Sequence, residues 1–390
     1  MVAATHHMYS KMAVGFGFSA KKTSNLIQVL GIDSGNAQVR VASMQADTSI
    51  AGDWRPSGAA LLNVASTRLH QLVVASGFDG TYALGLGSDG NIYRLGTQLH
   101  EDSWQSGGGI LQNSTTFSPV CGISAALGNS SEVFAISNVD YSAWVAAYHN
   151  EGEVGWNPGF VLPGGKVSNF MWVGARPDLS EKAVVHAIGL NLRGNPYEIA
   201  VQSGSGVGSQ TWSAGVGELG DQERPYSLLL LITGDSQQTF HVIGMGQDGS
   251  VWDVDQYSAT ASTPAWSKKS VQIAPSGTIS THNPIFDYVL DQKANVYLIT
   301  QEATPKGEMQ LVQFASLVGD SWKQTSSVIP ASRTTSYWSV VTNLAAGTST
   351  SSPSPSFILG LSHTTGHIYE LAYTADGVNW TKGQTNAISA

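Results

Sequence analysis

Tyr82-Ala-Leu-Gly-Leu-Gly-Ser-Asp-Gly-Asn-Ile-Tyr-Arg-Leu95 reads as two apolar runs around a tight turn, with Trp104 following about ten residues later. The same pattern returns in Phe240-His-Val-Ile-Gly-Met-Gly-Gln-Asp-Gly-Ser-Val-Trp-Asp-Val254, followed by Trp266, and in Phe357-Ile-Leu-Gly-Leu-Ser-His-Thr-Thr-Gly-His-Ile-Tyr-Glu-Leu371, followed by Trp380. Asp89-Gly90 between alternating apolar runs is a strong hairpin signal, because a two-residue hairpin turn asks for φ > 0 at its central positions. Gly194, Gly249, Gly307 and Gly366 hold the same place in other copies, and Gly35 lies one residue earlier. The third copy carries Val139-Asp140-Tyr141-Ser142 there, which predicts a different turn.

Weaker copies end at Trp54, Trp156, Trp212 and Trp322, so seven tryptophans stand at 54, 104, 156, 212, 266, 322 and 380. Seven units of about 54 residues account for nearly all of the 390, and a fixed period of that length signals a repeat architecture. Further β-rich runs follow each Trp, as in Leu69 to Ala75, Ser168 to Val173, Ser227 to Ile232 and Tyr337 to Thr342. Three to four short antiparallel strands repeated seven times predict an all-β fold, a β-propeller of seven blades, with six blades as the alternative. The predicted blades are 11–66, 67–117, 118–169, 170–225, 226–279, 280–337 and 338–390 within one domain. Met1 to Ser10 finds no place in a strand of the last blade, which leaves ring closure open.

Composition narrows function. Net charge is −9 and no basic run occurs, which argues against nucleic acid, whose binding rests on neutralising phosphates. No apolar run approaches the ~20 residues of a membrane-spanning helix, and the N-terminus lacks the apolar stretch of a secretory signal. Membrane insertion is therefore not expected, and the sequence reads as cytoplasmic. The single Cys121 forbids an intrachain disulfide and reads as a small buried hydrophobe. No metal-binding or nucleotide motif is present, so no cofactor or metal is expected and the chain does not read as an enzyme. A glycosidase would need two unlike carboxylates in one cleft, whereas the acids here are spread around the repeat.

Two columns of the second hairpin strand hold the candidate chemistry. The first reads Val39, Tyr93, Trp144, Tyr197, Trp252, Gln310 and Tyr369; its neighbour, on the opposite face, reads Arg40, Arg94, Val145, Glu198, Asp253, Leu311 and Glu370. Five charges in one column stand out in a protein only 12% charged. One reading makes these charges inter-blade ion pairs and the tryptophans spacers between blades. The other makes Arg40, Arg94, Glu198, Asp253 and Glu370 ligands for sugar hydroxyls, with Trp54, Trp104, Trp212, Trp266 and Trp380 as stacking platforms. On that reading the third and sixth blades, with Val145 and Leu311, hold weak or empty sites.

The units Ser88-Asp89-Gly90-Asn91-Ile92-Tyr93, Gln247-Asp248-Gly249-Ser250-Val251-Trp252 and Thr365-Gly366-His367-Ile368-Tyr369, each with its following Trp, resemble those of β-propeller lectins of the tachylectin, tectonin and fungal types. The resemblance implies multivalent binding of terminal sugars at shallow sites between blades, N-acetylglucosamine first among them, with glycans or glycoproteins as partners and a monomer or small homo-oligomer as the binding unit. It departs from the fucose-binding fungal type, whose Arg and Glu recur in nearly every blade. A protein-interaction propeller and a glycosidase are the alternatives. For the latter, Thr374 to Trp380 is similar to the Asp-box turn of sialidases but lacks one spacer residue and occurs once.

Overall fold

The computed structural model is an all-β propeller of seven antiparallel sheets, each built from strands consecutive in sequence. The residues described exclude 1–8, 19–24, 35–37, 46–54, 61–67, 77–79, 99–103, 112–114, 122, 128–129, 151–154, 179–183, 204–210, 222–223, 234–238, 259–264, 282–283, 285, 291–294, 307, 320, 332–337, 343–355, 375–378, 385–386 and 389–390. The first blade comprises Tyr9–Phe18, Asn25–Asp33, Val39–Gln45 and Arg55–Ala60, and the second Leu69–Ser76, Thr81–Gly87, Ile92–Gln98 and Gln105–Ile110. The third holds Ile123–Leu127, Ser130–Ile136, Ala143–Asn150 and Asn157–Val161, and the fourth Phe170–Pro177, Val185–Asn191, Pro196–Gln202 and Trp212–Glu218. In the fifth, Tyr226–Thr233, Thr239–Gly246 and Val251–Ser258 are followed by a fourth strand in two pieces, Ala265–Trp266 and Val271–Ala274, both paired to the third. The sixth is Phe286–Leu290, Val296–Ala303, Met309–Val318 and Ser321–Ile329; the seventh is Trp338–Thr342, Ser356–Ser362, Ile368–Thr374 and Thr381–Lys382.

Second strands lie between neighbouring blades and are covered on both faces. Thr81–Gly87, Val185–Asn191 and Thr239–Gly246 are buried at every residue, which is why their sequences run nearly continuously apolar. Fourth strands form the outer edge and alternate towards water, as Trp212–Glu218 does.

The hairpin turns follow the sequence reading. Gly90, Gly194, Gly249 and Gly366 take φ of 79°, 85°, 75° and 67°. In the third blade the turn differs as expected, Ser137 N–H closing on the Ser142 carbonyl one residue further on than in the second, fourth and fifth blades, and Tyr141 takes φ 54° where they have glycine, so an L-residue carries the left-handed strain. Side chains brace it: the Ser142 hydroxyl donates to Asp140 at 2.6 Å and Trp144 Nε1 donates to Ser142 at 2.8 Å. Asp248, Ser250 and Trp252 repeat the arrangement, at 2.5 and 3.0 Å. Donation from Ser250 and Ser276 holds the Asp248 carboxyl down at about 2.

From the second blade to the seventh, one residue of each third strand is skipped by the pairing with the second strand: Leu95, Ala146, Ile199, Val254, Phe314 and Leu371. Such a bulge re-aims the side chain before it. The first blade pairs without a bulge.

Among the described residues, the ring closes without sharing a strand. Tyr9–Phe18 is the first strand of the first blade, and all four strands of the seventh come from the C-terminal segment. Val29 and Ala42 of the first blade pack with Leu359, Leu361 and Ile368 of the seventh, Ile388 completing the cluster.

Candidate functional site

Each described tryptophan of the seven opens the fourth strand of its blade and packs back on the preceding blade. Trp104 joins Val39 and Val41, Trp212 joins Phe134 and Val145, Trp266 joins Ile188, and Trp322 joins Ile243. Trp104, Trp212 and Trp266 are buried. They are spacers, which corrects the reading of these rings as open stacking platforms. Trp380 is half-buried, and Trp54 lies outside the described residues.

The carboxylates receive these indoles across the seams. Trp266 Nε1 of the fifth blade donates to Glu198 Oε1 of the fourth at 2.9 Å, and Trp322 Nε1 of the sixth donates to Asp253 Oδ2 of the fifth at 2.9 Å. Trp212 Nε1 reaches Glu132 Oε1 of the third blade at 3.3 Å, an acceptor supplied from the second strand where the charged column has Val145. A carboxylate therefore works with the Trp of the next blade, not with its own. Where the bulge-preceding residue is Arg94, a donor only, or Gln313, the following indoles of Trp156 and Trp380 find no partner, and Trp104 Nε1 likewise has none.

Two members of the charged column sit elsewhere than expected. Lacking a bulge, the first blade pairs Arg40 with Gly31. Val39 and Val41 face the second blade, so Arg40 points away from it, 3.4 Å from Asp33 of its own blade. In the sixth blade the residue before the bulge is Gln313, not Leu311. Arg94 is half-buried and shares the face of Leu84, towards the third blade. Glu198, Asp253 and Glu370 are buried, at 2%, 6% and 0% exposure.

A second column escaped the sequence reading. Gln28, Tyr82, Glu132, His186 and His241 lie three residues before a Gly or Ala of their second strands, and all are buried. Each meets a polar or aromatic partner: Gln28 donates to Gln98, Glu132 accepts from Gln202 at 3.1 Å, and Tyr82 lies against His149 and Trp156. The recurring polar residue inside an otherwise apolar strand was the available signal.

In the fourth blade His186 Nδ1 lies 2.7 Å from Glu198 Oε1, and its Nε2 lies 3.6 Å from Asp178 Oδ2. Burial opposes the imidazolium, but hydrogen bonds and charge from Asp178 and Glu198 outweigh it and raise the His186 pKa above its ordinary value. Glu198 Oε2 accepts the backbone N–H of Val216 at 2.8 Å. Both carboxylate oxygens are thereby occupied, and the seam is sealed.

In the fifth blade His241 Nδ1 lies 2.8 Å from Asp253 Oδ2 and its Nε2 lies 2.6 Å from the Thr239 hydroxyl. Asp253 Oδ1 is buried and has no hydrogen-bond partner. The cause lies in the fourth strand. Gly107, Gly159, Gly215 and Gly383, each three residues after its Trp, press against the carbonyls of Arg94, Val145, Glu198 and Glu370, where an added Cβ would come within 1.9–2.4 Å. The equivalent residue is Lys269 in the fifth blade and Thr325 in the sixth, where Ser321–Ile329 nevertheless runs unbroken, so the break is peculiar to the fifth blade and does not follow from the missing glycine alone. At the break Lys268 turns to φ 55°, and Asp255 accepts its N–H at 2.9 Å. The N–H matching that of Val216 belongs to Ser270, and it donates to Asp221 at 3.0 Å.

Beside this break, a cavity of about 280 Å³ lies between the fifth and sixth blades. Its walls are His241, Asp253, Gln256, Val271 and Gln272 from the fifth blade and Leu317, Gly319, Ser321 and Trp322 from the sixth. One carboxylate, one imidazole, two amides and a hydroxyl share that wall with an indole and two aliphatic side chains, so the cavity offers hydrogen bonding around an apolar flank. Of the expected site residues, Asp253 alone lines it; Trp322 and Gln272 were not among them.

No family model matches the sequence, and no curated protein matches it. Among solved structures the chain is similar to a mutant of AofleA from Arthrobotrys oligospora, at 12% identity, covering 84% of this chain and 88% of that one with TM-score 0.45. It is also similar to SapL1 lectin in complex with alpha methyl fucoside, at 12% identity over 83% and 98% with TM-score 0.42. BBS1N, solved in complex with ARL6DN, is 10% identical over 96% and 95% with TM-score 0.44. At these identities neither ligand nor partner carries over.

Proposed function

We propose that the protein binds carbohydrate at the seam between its fifth and sixth blades. The observation that carries this reading is the cavity itself: a carboxylate, two amides and a hydroxyl arranged beside Trp322 in a space suited to a small ligand rather than to a chain. Sugars present hydroxyls around an apolar ring face, and this wall has groups for both. Terminal sugars of glycans are the natural occupants, N-acetylglucosamine being the one implied by the resemblance. Avidity from several sites on one ring would require other seams to open as this one does, and the seam between the fourth and fifth blades does not.

Titration calorimetry with monosaccharides, after a glycan array at several protein concentrations, tests the reading. The expected result is binding that falls at least tenfold in Gln272→Ala, with the melting temperature unchanged. A blank array and a blank panel of chromogenic glycosides would sink it. Recovery of one protein partner would then favour an interaction propeller, a reading supported by the exposed Val120, Val139, Val167 and Leu192.

A further inference from the structure

We propose that this cavity selects sugars bearing a free protonated amine, a hexosamine, over neutral and acidic sugars; the inference rests on the carbohydrate-binding reading above. Among the described lining residues Asp253 is the one carboxylate, and none is Lys or Arg. Its Oδ2 accepts from His241 and Trp322, while Oδ1 accepts nothing. His241 Nδ1 lies 2.8 Å from Asp253 Oδ2 and its Nε2 lies 2.6 Å from the Thr239 hydroxyl, so neither ring nitrogen is turned to the ligand space.

Among the described residues of the wall, no Lys or Arg stands beside this carboxylate. A buried carboxylate in that state favours whatever brings a positive charge and donors. An ammonium group brings one charge and three donors, and a hydroxyl brings one donor and no charge. A uronic or sialic acid brings a second negative charge beside the first. The Trp322 indole, a further part of the wall, also favours a neighbouring cation. N-acetylation removes the charge, so the geometry ranks the free amine above the N-acetylated sugar that the sequence resemblance implies.

Calorimetry at pH 6 with glucosamine, N-acetylglucosamine, glucose and glucuronate on the full chain tests this. Glucosamine is expected to bind about tenfold tighter than the two neutral sugars, the usual margin of a charge-assisted hydrogen bond over a neutral one, and glucuronate weakest. Asp253→Asn should erase the margin. Because Asp253 also receives Trp322, Val271→Lys provides a second route: it places a cation on the same wall without removing a bond to Asp253, and should likewise erase the preference. Equal binding of glucosamine and glucose by the wild type, or a preference that survives both variants, overturns the inference while leaving carbohydrate binding standing. If none of the four sugars binds, the functional reading falls first.

Discussion

The fourth and fifth blades build the same joint from the same parts and finish it differently. Each sets a histidine of its second strand against a carboxylate of its third, and each carboxylate takes the indole of the next blade. Glu198, one methylene longer than Asp253, also takes the N–H of Val216, which Gly215 allows to come close. Lys269 stands where Gly215 would, the outer strand breaks, and the Asp253 joint opens on a cavity. The two seams differ in the course of the edge strand, which breaks at Lys269 in the fifth blade, while in the sixth Ser321–Ile329 runs on through Thr325 at the same place.

The largest way to break the comparison is to remove the sealed carboxylate. Glu198→Ala leaves His186, Trp266 Nε1 and Val216 N–H facing each other without their acceptor, and is expected to cost about 3–5 kcal/mol in urea unfolding. Gly215→Ala puts a Cβ 2.4 Å from the Glu198 carbonyl oxygen and is expected to cost about 1–3 kcal/mol, with faster hydrogen exchange at the Val216 amide. If that variant is as stable as wild type, the close approach does not hold the strand.

The next effect is the pH dependence that His186 confers. The folded pKa of His186 is raised, so its protonation contributes stability that is fully present below about 6.5, the ordinary value. That contribution is lost as pH rises through the higher folded value. Melting temperature measured from pH 5 to 9 should therefore decline over this window in wild type and stay flatter in His186→Asn. The smallest effect is expected from Asp253→Asn. One oxygen there already lacks a partner, and the remaining carbonyl can still accept from His241 and Trp322, so the cost should stay below about 1 kcal/mol. A loss matching that of Glu198→Ala would erase the distinction between the joints.

The fold was legible because its signals are local: Asp89-Gly90 and Asp248-Gly249 make their turns within four residues, and the tryptophans mark the period. Even Tyr141, which has no glycine to announce it, takes the positive φ that glycine takes in the second, fourth and fifth blades. The site was legible only in part. Asp253 stood out as a charge inside an apolar strand, but Arg40 in the same column faces the other way because a missing bulge shifts the register by one, which no local pattern reveals. Trp266 looked like the partner of Asp253 because it follows in the same unit. The true partner, Trp322, lies 69 residues away across the seam. The break at Lys269 left no distinctive trace: Trp104, Trp156, Trp212 and Trp380 are each followed by glycine at the third place and Trp266 is not, but neither is Trp322, whose strand is intact.

The ring that closes on side chains alone has a consequence for how the protein reaches its fold. Every strand pairs with a neighbour in sequence, so each blade assembles from contacts of short loop length, the kind that form fast. Among the described residues, the two ends of the chain meet where Leu359 and Leu361 dock against Val29 and Ala42 and where Tyr9–Phe18 lies beside Trp338–Thr342. No strand has to wait for the other terminus to emerge, so the N-terminal blades can complete themselves in turn as the chain is made. The final event is the meeting of two finished surfaces.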